Sequence, residues 1–474
     1  MPHPATKHKW DEETDVIVVG SGFAGLAAAI EAAQLGCSVV VLEKMKGFGG
    51  NSTISDGGMA AAGSDMQARA GIDDSPQSMA DDMIRAGLGL NHPDLVRIVA
   101  EKSAEAYAWA RDFLGVRFQE RVGQFGGHSV PRGHTTLHRS GADIIKQQLA
   151  KAADLEVAIR TRACLQEILK DHRKRVCGVR VQQGYAYPDR TSGETIYIRA
   201  RKAVVLATGG FGNDVAFRSA QDPRLGEKID STNKYSATGG ALREAIRLGA
   251  MPVHLSWIQL GPWACPDEKG YGVGPDFSSY IAFPYGIIVD PATGRRFVNE
   301  MTNRKVRADA ILAQGHPCLC VADSKALDVS GYEIARALKK GVVKAFNHLH
   351  KLAGAYDMPT NEFGKTIARY NGFIADGSDT DFGKPIIKDA APLAHPPFYS
   401  MRLWPKVHYT MGGILINTRA QALNLDGLPI EGLYAAGEVT GGVHGASRLG
   451  CCAITDCLVF GRIAGQQAAE AGSI

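Results

Sequence analysis

The sequence predicts an α/β protein whose first domain is assembled from both ends of the chain, with a second, α+β domain inserted between them. Three observations carry this. The run Asp15-Val-Ile-Val-Val-Gly20 is β-branched and stopped by glycine, residues 26–35 are Ala-rich, and residues 37–43 form a second apolar run ending in an acid. Strand, helix and strand in that order begin a parallel sheet. The same punctuation returns at 203–212 and again from Val407, through Gly412 and Gly413, a strand at 432–436 and a last helix from Cys451. Between Trp257 and Pro396 the texture changes to more aromatics, prolines and mixed charge. The expected divisions are therefore 1–256 and 397–474 for the first domain and 257–396 for the insertion. Residues 81–114, polar with apolar residues at helical spacing, are expected to form several helices.

Composition narrows the function. With 474 residues, 45% hydrophobic and 22% charged, the chain is an ordinary globular protein. Its net charge of +4 is small and without a basic block. That argues against nucleic acid as a partner and suits an anionic small-molecule substrate. Nine cysteines, scattered and without a CxxC or CxxCH motif, suggest reduced thiols in a cytoplasmic setting and exclude covalent haem. The first residues are polar, with no signal-peptide stretch, and the apolar run 16–33 is broken by Gly20, Gly22 and Gly25, so no membrane span is expected.

The glycines carry the first chemistry. Gly20-Ser-Gly22-Phe-Ala-Gly25 follows a strand and opens a helix, and Glu43 ends the next strand. The first glycine makes a tight turn, the second lets backbone approach a pyrophosphate, and the third lets helix and strand pack closely. The helix N-terminus offers unpaired N–H groups and partial positive charge to phosphates. Glu43 would accept hydrogen bonds from ribose hydroxyls. This is a Rossmann-type dinucleotide site.

The segment Gly49-Gly-Asn-Ser-Thr-Ile-Ser-Asp-Gly-Gly-Met59 resembles the FAD-binding segment of the fumarate reductase and succinate dehydrogenase flavoproteins. It is most similar to the soluble, flavocytochrome c type of fumarate reductase, whose relatives include urocanate reductase and 3-ketosteroid dehydrogenases. The resemblance continues through Ala207-Thr-Gly-Gly-Phe-Gly212, Arg296-Phe-Val-Asn-Glu300, His408-Tyr-Thr-Met-Gly-Gly413, Leu433-Tyr-Ala-Ala-Gly-Glu438 and Gly442-Val-His-Gly-Ala-Ser-Arg-Leu-Gly450. It implies a glutathione-reductase-like FAD domain with an inserted capping domain. The implied cofactor contacts are Gly20, Gly22, Ala24, Gly25, Glu43, Lys44, Gly50, Asn51, Ser52, Gly57, Gly58, Ala207, Thr208, Gly209, Gly437, Glu438, Arg448, Ala453 and Ile454. Asn51 stands where membrane-bound relatives carry the histidine that attaches FAD covalently, so FAD is expected to be held non-covalently. Cys451 and Cys452 stand where the family usually has Gly and Asn.

On the substrate side, the resemblance makes Arg304 the catalytic arginine, His408 a carboxylate-binding histidine and Arg448 the second clamping arginine. A planar guanidinium suits a carboxylate because it donates two parallel hydrogen bonds. Three family positions depart. The first carboxylate-binding histidine falls on Gly261, and the proton-relaying acid and arginine fall on Ser279 and Ala282. Half of a dicarboxylate clamp is absent, which points to a monocarboxylate with a bulkier, less polar far end. Tyr280, Tyr285 and Tyr409 are candidates to assist proton transfer. Ser129, Arg132 and His134, on a His-rich loop with no acidic or Cys partner suggestive of a metal site, are implied to lie near the flavin and substrate channel. His444 is expected near the clamp.

The resulting expectation is reduction or desaturation of a CH–CH bond α,β to a carbonyl, with an external electron donor or acceptor. Arg304 from the cap and His408 and Arg448 from the FAD domain would surround the substrate. Two alternatives stay open: a cyclic-ketone or ketosteroid-type dehydrogenase working through tyrosines, and a flavin-carrying subunit without its own substrate.

Overall fold

The computed structural model describes residues 9–189 and 191–472, so the first eight residues of the polar N-terminus lie outside the described residues. The chain divides into two compact units. The first is Met1–Gly226, Lys234–Ile258 and Tyr409–Ile474, and the second is Glu227–Asn233 with Gln259–His408.

The first unit is built on strand β1 (Glu12–Val19), helix α1 (Phe23–Gln34) and strand β2 (Val39–Leu42). Val16 to Val19 and Val39 to Leu42 are all buried, as expected of a strand covered on both faces. β1 pairs in parallel with β2, Val18 opposite Val41, and with Glu194–Leu206 on its other side, Val18 opposite Val205. The main path of the sheet runs Gln421–Leu423, Pro429–Ala435, Glu194–Leu206, β1, β2, Ala158–Arg160. Chain from both ends thus meets in one sheet, because Leu433 lies opposite Val204.

α1 is Ala-rich because it has no room for more. The C-terminal helix, Cys452–Glu470, lies along it so closely that a Cβ on Gly461 would stand 2.6 Å from the Ala24 carbonyl oxygen. One on Gly465 would stand 2.2 Å from that of Ala28. The apolar spacing within 81–114 resolves into the α-helices Pro76–Ala86, Pro93–Glu101 and Ser103–Ala108, followed by a π-helical turn, Trp109–Phe113.

The second unit carries an antiparallel five-stranded sheet ordered Arg295–Arg296, Ile287–Asp290, Cys318–Asp323, Phe398–Leu403, Lys344–Phe346. Cys318 and Cys320 are buried free thiols on its central strand. The domain break expected at 396 is corrected by Phe398–Leu403, which pairs along its whole length with Cys318–Asp323 and so belongs to this unit. Strand pairing joins segments far apart in sequence, and texture alone does not show which sheet a strand enters. His408 consequently falls in the second unit, not with the FAD-type domain where it was expected.

A buried ionic knot holds this unit's approach to Arg304. Arg296 donates to Glu300 at 2.9 and 2.8 Å and to Asp379 at 2.8 Å, and Lys384 lies 3.8 Å from Glu300. Burial pushes the Lys384 ammonium down to about 8. Among the described residues, no helix is long and apolar enough to cross a membrane.

Candidate active site

The β1–α1 turn forms the cradle that the glycine spacing predicts, and each glycine answers to a different constraint. Gly20 has φ +109°, and a Cβ there would stand 2.3 Å from the Ala207 carbonyl oxygen. Gly25 faces inward, where a Cβ would stand 1.9 Å from the Gly20 carbonyl oxygen. Gly22 differs, since its φ of −76° suits any residue and a Cβ would meet only Ser52 Oγ at 3.1 Å and Gly49 O at 3.9 Å. The protein resists a side chain at 22 only through Ser52 Oγ, which would have to give by a few tenths of an ångström. A ligand that approaches the backbone demands glycine there.

Above this turn lies a cavity of about 100 Å³ lined by Gly20, Gly22, Ala24, Glu43, Lys44, Gly50, Asn51, Ser52, Ala207, Thr208, Gly209, Gly437 and Glu438, among others. A second cavity of about 400 Å³ shares Gly20, Glu43, Lys44 and Thr208 and adds Tyr187, Asn213, Thr238 and Arg243. The two cavities share the turn that opens α1 and the acid that follows β2, a lining that fits a dinucleotide cofactor. Gly25, Gly57, Gly58, Arg448, Ala453 and Ile454 lie outside both cavities' linings. Gly57 and Gly58 serve packing: a Cβ on Gly57 would stand 2.4 Å from Thr136 Oγ1, and one on Gly58 2.8 Å from Cys451 Sγ.

Side chains that the motif does not single out complete the cradle. Ser21 Oγ donates to Glu43 at 2.6 Å and Met45 N donates to its other oxygen at 2.9 Å, which aims the carboxylate while leaving it acceptor capacity. Lys44 Nζ donates to Thr238 Oγ1 at 2.9 Å. Asn51 Oδ1 accepts from Lys234 N at 2.8 Å.

Further along the first unit, Glu438 accepts from Thr410 N at 2.9 Å, and desolvation raises its carboxyl to about 7. Arg448 is buried, with its Cζ 4.6 Å from the centre of the Tyr409 ring. Tyr409 is buried in turn, and desolvation pushes its phenol well above the usual range. The His444 ring lies 5.7 Å from it, and His444 Nε2 is 3.3 Å from Asp456 Oδ2. Ala453 and Ile454 occupy the first turn of the C-terminal helix, whose N-cap Cys451 takes the left-handed conformation at φ +65°.

The His-rich loop anchors this helix start. Arg132 is fully buried and donates to Asp74 at 2.8 and 2.9 Å, to Asp82 at 2.5 Å and to His128 Nδ1 at 3.0 Å. Arginine only donates, so His128 Nδ1 accepts and its Nε2–H donates to the Gly450 carbonyl at 2.9 Å. Ser129 caps the same Asp82 through N and Oγ. His134 is buried against Tyr107, ring centres 4.2 Å apart, and burial lowers its imidazole to about 4.

In the second unit, Asn303 Oδ1 accepts from Val306 N at 3.0 Å, so Arg304 is the first residue of the helix Arg304–Ala313. A cation there opposes the helix dipole by roughly 0.3–1 kcal/mol. Its Cζ lies 4.5 Å from the centre of the Trp263 ring. One turn on, Arg307 donates to the Glu300 carbonyl, and desolvation, with the Arg304 charge, lowers its guanidinium to about 9. The Trp263 ring also meets His408 edge-on at 4.8 Å, and His408 Nδ1 is 2.8 Å from Thr232 Oγ1.

Trp263 is what the sequence reading missed. The space vacated at Gly261 is not open, as a bulky far end would require. The indole folds back over it, and a Cβ on Gly261 would stand 3.1 to 3.5 Å from Cε2, Cζ2 and Nε1. A tryptophan two residues from Gly261, where the resemblance led us to expect half of the clamp to be absent, was the available signal. Tyr280 stacks on Tyr332 at 4.4 Å with planes 6° apart, on a π-helical stretch, Ser278–Ala282, that includes Ser279 and Ala282.

Comparison with known proteins agrees with this geometry. Residues 15–454 match the family model described as "FAD binding domain". The chain is 43% identical over 463 residues to the acrylate reductase flavoprotein subunit of Shewanella woodyi, covering 96% of this chain and 91% of that one. It is 36% identical to urocanate reductase of Eggerthella lenta, covering 96% of this chain and 75% of that one. Among solved structures, the open conformation of a flavocytochrome c3 fumarate reductase superposes with a TM-score of 0.79 at 33% identity, covering 97% of this chain and 79% of that one. A 3-ketosteroid-Δ4-(5α)-dehydrogenase from Rhodococcus jostii RHA1 superposes with a TM-score of 0.78 at 26% identity, covering 98% and 99%. From the cradle and these likenesses together, the chain belongs to the FAD-binding flavoprotein family of the soluble fumarate reductases, and it is an FAD-dependent oxidoreductase acting on CH–CH groups.

Proposed function

We propose that this protein reduces a short α,β-unsaturated monocarboxylate of the acrylate class. FAD, when bound, supplies the hydride equivalent, and an external donor supplies its electrons. In the second unit His408 binds the carboxylate and Arg304 delivers the proton to the carbon next to it, and in the first unit Arg448 is the further carboxylate-binding residue that the resemblance implies. The setting is cytoplasmic, a reading supported by nine cysteines that are all free thiols.

The observation that carries this reading is the grouping of Arg304 and His408 against one indole, from segments a hundred residues apart (304 and 408). The likeness to an acrylate reductase subunit supports the substrate class. A ketone dehydrogenase working through tyrosines is less well supported. Tyr409 lies against the Arg448 guanidinium, and Tyr280 stacks on Tyr332.

The test is anaerobic: reduce the flavin, then follow its re-oxidation by a panel of enoates and cyclic enones. Acrylate is expected to re-oxidise it fast. Arg304→Ala should keep FAD and lose turnover by about a thousandfold, within the range for removing a general acid. Re-oxidation by enones alone, or Arg304→Ala with substantial turnover, would defeat the proposal.

A further inference from the structure

The enoate reading leaves open what takes the place of the missing half of the clamp. Trp263 offers two independent observations. Its ring lies over Gly261 so closely that a Cβ at 261 would stand 3.1 Å from Cε2 and 3.2 Å from Cζ2, and the ring would have to give by a few tenths of an ångström. It is also buried, at 5% exposure, with an indole N–H that meets no hydrogen-bond acceptor among the described residues. A buried tryptophan N–H ordinarily finds an acceptor, and leaving one unmade is costly. The backbone around it is pinned, since the Trp263 carbonyl accepts from Ser278 Oγ at 2.8 Å and the Ala264 carbonyl from Trp404 N at 3.0 Å. The main chain that carries the ring is therefore fixed in place. With Arg304 over its face and His408 perpendicular to it at 4.8 Å, the ring lies among the groups assigned to substrate.

We infer that Trp263 is the specificity-determining residue of this enzyme: its indole closes the far end of the site to anything longer than a short, singly charged enoate, and its Nε1–H donates to a substrate oxygen. The inference rests on the proposed enoate reduction. A histidine in this place would offer a second anionic group a cationic or neutral donor. An indole offers one neutral donor and no space, so a second carboxylate would be left unpaired and crowded. The consequence is selection by exclusion as well as by contact.

Two variants separate the two roles, read by anaerobic re-oxidation of the reduced flavin with acrylate, crotonate, 2-pentenoate and fumarate. Trp263→Phe keeps an aromatic ring beneath Arg304 and removes the N–H. It should lower kcat/KM for every enoate by about tenfold and leave the ranking of substrates unchanged. Trp263→Ala opens the far end, and the preference for acrylate over 2-pentenoate should fall by at least about tenfold. FAD content and thermal melting confirm that each variant is folded, and Trp263→Leu replaces Trp263→Ala if the smaller side chain fails there. If wild type turns over acrylate but the acrylate to 2-pentenoate ratio stays within twofold in the opened variant, Trp263 is a core residue and the inference is wrong. An unchanged Trp263→Phe removes the hydrogen-bond half. If no enoate re-oxidises the wild-type flavin, the proposed activity fails and this inference falls with it.

Discussion

Gly22 and Gly25 stand three residues apart in one motif, yet the structure predicts opposite consequences for replacing each with alanine. At Gly25 the new methyl would sit 1.9 Å from the Gly20 carbonyl oxygen, 3.0 Å from its carbon and 3.3 Å from the Ala207 side chain. Restoring ordinary contact requires α1 to move away from β1 by more than about 1 Å. Behind α1, however, Gly461 and Gly465 already press on the backbone of Ala24 and Ala28. Overpacking with no retreat should cost about 3 kcal/mol in the apoprotein. It should also shift the helix N-terminus far enough to lose two charge-assisted phosphate contacts, weakening FAD by about a hundredfold or more. At Gly22 the methyl meets only the end of the Ser52 side chain. Apoprotein stability should stay within about 0.5 kcal/mol of wild type or rise slightly, because alanine has fewer unfolded conformations. FAD affinity should still fall by more than tenfold, because the methyl occupies the side from which the pyrophosphate approaches. The assay is thermal melting of both apoproteins, followed by FAD titration through flavin fluorescence quenching. A Gly25→Ala apoprotein that melts like wild type would refute the packing account, and a Gly22→Ala protein with native FAD affinity would refute the cradle.

Two pH effects follow with opposite signs. Burial depresses His134 from 6.5 to about 4, so the folded state loses stability as pH falls through that window, by roughly 3 kcal/mol at its lower end. Subtracting the melting profile of His134→Asn from that of wild type should show a difference that grows as pH drops from 6.5 to 4, and a flat difference would contradict it. Desolvation raises Glu438 from 4.5 to about 7, so its contribution favours the folded apoprotein at low pH and is lost as pH rises between those values. The Glu438→Gln apoprotein should lack that decline, so its stability relative to wild type should improve on going from pH 4.5 to 7. Calorimetry of the two apoproteins across the range measures it, and parallel profiles would show that the carboxyl is not desolvated.

The sequence by itself determined the cofactor and the first fold layer. Strand, glycine turn, helix and acid are local in sequence, and each step has a steric or electrostatic reason that can be read residue by residue, as at Gly20, Gly25 and Glu43. Ordered motifs at 207–212, 408–413 and 433–438 added the family, because backbone that wraps one ligand constrains many separate segments. Tertiary structure alone decided which sheet Phe398–Leu403 joins, and therefore that His408 falls with the second unit. It also decided that Arg132, expected near the flavin and substrate channel, pairs with Asp74 and Asp82 and orients His128, which anchors the backbone at Gly450. The vacancy suggested by Gly261 vanished because a ring two residues away folded into it. Which side chain fills a space depends on contacts among distant or differently directed residues, and spacing along the chain does not encode it.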